Sequence, residues 1–184
     1  MSVRVRPITT IEGTLPFSFS EAGLAECRRL MARYPEGRSK SALLPILHIA
    51  QSENEGWLSV NAMDAVAQVM GLLHIEVYEV ASFYSMYNLH PIGRHHLEVC
   101  RTTPCMVRGS DDIIEHIEKK LGIHVGETTK DGMFTLKGVE CLGSCGTAPM
   151  LQCGAKYHEN LTTEKVDALI DQLRNEPRNN YTDQ

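Results

Sequence analysis

HHLEVCRTTPC, residues 95–105, decides how the second half of this chain folds. Its first six residues alternate, putting Leu97 and Val99 on one side of an extended backbone, as the period of two in a strand requires. The pattern predicts a strand that ends on Cys100, with Cys105 in the loop beyond it. A helix follows. Ser110 is placed to cap it, and Ile113, Ile117 and Leu121 form its apolar stripe. Asp111 and Asp112 in its first turn and Lys119 and Lys120 in its last suit the helix dipole. Gly122 closes it.

Downstream, Asp131-Gly132 is a turn signal leading into a strand over Met133–Glu140, with Cys141 at its end and Cys145 in the next loop. Pro149–Cys153 and Lys156–His158 read as two further short strands. Thr162 caps a last helix, stapled by Leu161 and Val166 and packed through Leu169, Ile170 and Leu173. The order β-α-β-β-β-α predicts an α/β domain with helices covering a small sheet. All four of these cysteines fall at strand ends facing loops, where such sheets build their sites.

Upstream the pattern is helical. Leu24, Cys27, Met31 and Tyr34 lie on one helical face, ahead of Pro35-Glu36-Gly37. Leu43, Leu47 and Ala50 mark a second helix, with Pro45 near its first turn. Ser59 caps a third through Met63, Val66, Ala67 and Met70, stopped by Gly71. A fourth, near Glu76–Tyr84, carries Val77, Val80, Ala81 and Tyr84. Short helices with short connections predict a bundle. The expected organisation is an arm over 1–17, a helical bundle over 18–90, the sheet domain over 91–174 and a polar, frayed tail over 175–184.

The 184 residues carry a net charge of −5 with Lys and Arg scattered, which argues against a nucleic-acid partner. The longest apolar run, Leu43–Ala50, is broken by Pro45 and His48 and falls far short of the roughly 20 residues a bilayer requires. No hydrophobic signal core opens the chain, so the expectation is an intracellular protein without direct membrane insertion. In a reducing compartment, clustered cysteines point to metal or redox chemistry before disulfides.

Two pairs stand out, Cys100-x4-Cys105 and Cys141-x3-Cys145. Four thiolates in two pairs suit a tetrahedral zinc or an iron–sulfur cluster. The wide spacers favour two irons with one pair each, and Gly143 and Gly146 let backbone N–H groups approach the bridging sulfides of such a cluster closely. A zinc-stabilised scaffold is the next reading. A thiol-redox catalyst comes last, because no C-x-x-C is present. No G-x-G-x-x-G or P-loop appears, so this chain is not expected to bind NADH itself.

Ser41-Ala42-Leu43-Leu44-Pro45, Gly56-Trp57-Leu58, Val77–Tyr84, Cys100-x4-Cys105-Met106-x-Arg108-Gly109 and Glu140-Cys141-Leu142-Gly143-x-Cys145-Gly146-x-Ala148-Pro149-Met150 occur in an ordered series. Together they resemble the family of E-type subunits of NADH:quinone oxidoreductase, respiratory complex I, over residues 18–173. The resemblance implies an N-terminal helical bundle followed by a thioredoxin-like [2Fe–2S] ferredoxin domain. The one cluster would be of the type called N1a, held by Cys100, Cys105, Cys141 and Cys145. It also implies an F-type flavoprotein partner that carries FMN and the NAD site, and a place in the peripheral arm on the cytoplasmic side of the inner membrane. The equivalent subunit of an NAD-linked hydrogenase or formate dehydrogenase is the alternative within the same family.

Four thiolates and an oxidised two-iron core leave the centre a dianion, so adding an electron is costly and a low reduction potential follows. Backbone N–H donors, and Arg101 or Arg108 if turned inward, would raise it. Other candidates have plainer readings. Cys27 and Cys153 read as packing residues, since a free cysteine behaves as a small hydrophobe. His90, His95 and His96 read as surface or loop residues, and Phe83, Tyr84 and Tyr87 as core with partner packing as a second role.

Overall fold

A computed structural model describes residues 16–178, so most of the expected N-terminal arm and the end of the tail lie outside the described residues. The chain divides between Pro91 and Ile92 into two compact units.

The first unit is helical: α1 (Glu21–Met31), a 3-10 turn (Ser39–Ala42), α2 (Leu43–Glu53), α3 (Val60–Met70) and α4 (His74–Phe83). Ser20 and Ser59 cap α1 and α3 by accepting from the N–H groups of Gly23 and Ala62, and Gly71 ends α3 at φ 65. Its core runs through Cys27, Ile46, Leu47, Leu58, Val66 and Val77, all fully or almost fully buried. Tyr34 departs from expectation. It lies past the end of α1 and is exposed, because the helix closes at Met31 and the chain turns outward. Phe83 and Tyr84 are corrected as well. They sit where α4 runs out and are exposed, while Tyr87 alone turns inward, its hydroxyl donating to the Leu44 carbonyl at 2.9 Å.

The second unit contains β1 (His95–Cys100), α5 (Thr103–Val107), α6 (Ser110–Leu121), β2 (Phe134–Val139), β3 (Leu151–Cys153), β4 (Lys156–His158) and α7 (Thr163–Leu173). The sheet order is β2-β1-β3-β4, with β1 and β2 parallel and the other pairs antiparallel. Leu97, Val99, Phe134, Leu136 and Leu151 pack with Ile117 of α6 and Ile170 of α7 into one core. Gly93 is needed where the chain enters β1. A Cβ there would come within 2.8 Å of the Phe134 backbone, and its N–H donates to Thr135 Oγ1 at 2.7 Å.

Three expectations are corrected here. Cys105 lies inside α5, a short helix started by Pro104, instead of a loop. Ser110 is the first helical residue and not the cap. Gly109 takes that position at φ 93, so α5 passes into α6 through Arg108 and this one left-handed residue, and the Ser110 side chain is turned inside. His95 and His96 are 1% and 5% exposed, because β1 is a central strand with both faces covered. His90 is exposed, as expected. The start of the tail is also tied back, since Arg178 Nη1 donates to the Gly93 carbonyl at 3.0 Å.

Burial holds the His96 imidazole down to about 3, with the Lys137 and Arg178 charges adding to the effect. Glu98 Oε1, 3.8 Å from His96 Nδ1, acts the other way, but it lies beyond hydrogen-bond distance and faces Lys137 Nζ at 3.7 Å. In the unfolded chain the same ring takes a proton near 6.5. Between those values the unfolded state binds more protons, so this stability is present above about pH 6.5 and is lost as pH falls, by about 1.4 kcal/mol per unit. The urea midpoint is therefore expected to drop between pH 7 and 5.5, and to drop less in His96→Gln. Equal drops in both proteins would refute the assignment.

Candidate metal centre

The parallel pairing of β1 with β2 sets Cys100 opposite Val139, so the chain leaves both strands at the same end of the sheet. Cys100 ends β1, and α5 folds back to bring Cys105 beside it. Cys141 follows β2 by two residues, and Cys145 opens a 3-10 turn over Cys145–Thr147. Cys141 and Cys145 Sγ atoms stand 3.7 Å apart and are exposed, whereas Cys100 and Cys105 are 2% and 1% exposed. Cys100, Cys105, Ala148 and Met150 form a small core of their own, with Leu142 against it.

The electrostatics tie the pairs together. Burial pushes the Cys100 thiol up, but hydrogen bonds from the Thr102 hydroxyl and backbone, the Leu142 backbone and Cys105 outweigh it, leaving the thiol below its ordinary value. Cys105 is pushed up to about 11, by burial first and then by sharing its proton with Cys100. Cys145 is raised by its hydrogen bond to Cys141, and it feels the charge of Cys100 across the gap between the pairs. The Gly143 N–H donates to Cys141 Sγ at 3.4 Å, Gly143 taking φ 83 to do so. The Met150 backbone supports Cys105.

Among the described residues, no group of three or more His, Cys, Asp or Glu side chains is gathered for a single metal ion. The thiols come instead as two pairs with backbone donors aimed at their sulfur atoms. Such a donor set suits two irons bridged by sulfide, one pair to each iron. Cys153 is elsewhere. It pairs in register with Leu97, 1% exposed within the apolar core, and burial pushes its thiol up to about 12. Cys27 is buried in the first unit.

Residues 27–174 match the thioredoxin-like [2Fe–2S] ferredoxin family. The chain belongs to that family. Over 160 residues it is 47% identical to the E-type subunit of NADH-quinone oxidoreductase from Rickettsia bellii, a match spanning 87% of this chain and 96% of the relative. It is also 47% identical over 160 residues to a mitochondrial NADH dehydrogenase [ubiquinone] flavoprotein 2 of Dictyostelium discoideum, covering 87% of this chain and 65% of that one. Among solved structures, an NAD+-reducing [NiFe]-hydrogenase in its air-oxidised state aligns with a TM-score of 0.63 at 23% identity, over 72% of this chain and 22% of the other. That last likeness is one of fold.

Sequence reasoning missed what surrounds the second pair. Ser144 and Thr147 both bond Glu159, and the Tyr157 hydroxyl donates to the Leu142 carbonyl at 2.8 Å. No local pattern marks these contacts, which exist only because the β3–β4 hairpin returns beside the cysteine loop. Arg108, a candidate for the centre itself, gives its Nε to the Ala148 carbonyl at 3.3 Å.

Proposed function

We propose that this chain is the E-type electron-transfer subunit of an NADH:quinone oxidoreductase, holding one [2Fe–2S] cluster through Cys100 and Cys105 on one iron and Cys141 and Cys145 on the other. The observation that carries the reading is the convergence of the two cysteine pairs at one end of β1 and β2. The cluster, when bound, supplies a one-electron carrier. The chain's own residues buffer its charge, through the N–H of Gly143 at Cys141 and the backbone of Leu142 and Met150 at the buried pair. Sulfur atoms buried on one side and exposed on the other leave an open edge for exchange with a partner.

The partner in this reading is the F-type flavoprotein subunit carrying FMN and NADH, within the peripheral arm on the cytoplasmic side of the membrane. No helix among the described residues is long and apolar enough to cross a membrane. Relatives 47% identical to this chain support the quinone oxidoreductase over a hydrogenase or formate dehydrogenase. Purified anaerobically, the chain is expected to be red-brown, to hold two irons and two sulfides, as the cluster type requires, and to become paramagnetic on strong reduction. One zinc per chain with no visible absorption would refute the reading.

A further inference from the structure

Cys145 sits between two hydroxyls that share one anchor. Thr147 Oγ1 donates to Glu159 Oε1 at 2.6 Å, and Ser144 Oγ reaches the same oxygen in a shorter contact. The two hydroxyl oxygens are 2.7 Å apart. The backbone closes around them, with the Thr147 N–H on the Ser144 carbonyl at 3.1 Å and the Asn160 N–H on the Thr147 carbonyl at 2.7 Å. Tyr157, two residues before Glu159, donates its hydroxyl to the Leu142 carbonyl at 2.8 Å. The segment from Tyr157 to Asn160 therefore holds both flanks of the loop that presents Cys141 and Cys145.

A neutral acceptor would suffice to tie two hydroxyls. This anchor is a carboxylate, and among the described residues no Lys or Arg forms an ion pair with it, Lys165 Nζ being engaged by the Asn160 carbonyl. The two hydroxyls favour its ionised form and hold its carboxyl below the ordinary value. A fixed negative charge beside a centre that gains negative charge on reduction opposes the added electron.

Resting on the two-iron reading above, we infer that Glu159 is a positioning residue for the Cys145 loop and that its charge holds down the reduction potential of the centre. It acts through Ser144 and Thr147 and touches no iron ligand in its own right. The Glu159→Gln variant keeps an acceptor for the hydroxyls and removes the charge, so it separates the two roles.

The experiment is a redox titration of the full chain, followed by the paramagnetic signal of the reduced centre, at low salt and in 1 M KCl. Glu159→Gln is expected to retain full iron and raise the reduced-to-oxidised ratio at a fixed ambient potential, by up to about tenfold, or 59 mV for one electron. The shift should shrink at high salt, because Glu159 is exposed and its field is screened. Glu159→Ala should show the same shift and lose iron to a chelator faster. A fully loaded Glu159→Gln with an unmoved potential, or a shift indifferent to salt, overturns the inference while leaving the cluster reading intact. Parent protein without iron and sulfide overturns both.

Discussion

Cys145→Ala is expected to lose its iron, and Cys153→Ala to keep it. The two cysteines are eight positions apart in one loop-and-strand segment, yet their surroundings differ in kind. Cys145 is exposed, 3.7 Å from Cys141, within a turn held by Ser144, Thr147 and Glu159. Cys153 points to the side of β3 that packs on Leu97 and the apolar core, where burial opposes ionisation. An iron that loses the Cys145 thiolate has no other thiol on the exposed side to replace it. Removing the Cys153 sulfur costs packing, on the order of 1 kcal/mol, and leaves the centre unaltered. Iron per chain and visible absorption decide the matter. Loss of iron from Cys153→Ala together with its retention in Cys145→Ala would show the ligand set to be wrong.

The parts of this arrangement legible in the sequence are those written in local periodicity. Alternation at His95–Cys100 marks β1, and the Thr162 cap with its Leu161–Val166 staple marks the start of α7. The cysteine pairs are visible because strands end where their side chains meet loops. Features that depend on neighbours are not legible. Nothing in HHLEVC says that β1 is central, and that alone turns His95 and His96 from surface residues into buried ones. Ser110 has the right chemistry for a cap but follows Gly109, whose left-handed backbone makes it the cap and carries the serine inside. Tyr84 continues the apolar spacing of α4 one residue past the point where the helix stops, and Phe83, its last residue, is left on the exposed side. The Glu159 contacts require the register of the β3–β4 hairpin, which short strands do not reveal.

Phe134→Ala is expected to destabilise the sheet unit by about 3–5 kcal/mol, a large part of the roughly 5–15 kcal/mol that holds a domain folded. The ring is fully buried, its centroid 5.7 Å from that of His95, and the Arg174 guanidinium carbon lies 5.4 Å from the same centroid. The Phe134 backbone runs in close contact with Gly93, where a Cβ would come within 2.8 Å of it. The centre should nevertheless remain chemically normal. Phe134 pairs with His95, five positions before Cys100 on β1, which is on the order of 17 Å along a strand. The Cys100 side of the sheet has its own packing in Ala148 and Met150. The variant is therefore expected to bind iron with the parent's visible spectrum and to lose it at a urea concentration lower by on the order of 2 M, given m near 2 kcal/mol per M. The cluster absorption reports the sheet unit, while Trp57, the single tryptophan, reports the helical one. An unmoved cluster midpoint would mean that this core does not support the centre. A changed spectrum without urea would mean that Phe134 shapes the iron site directly.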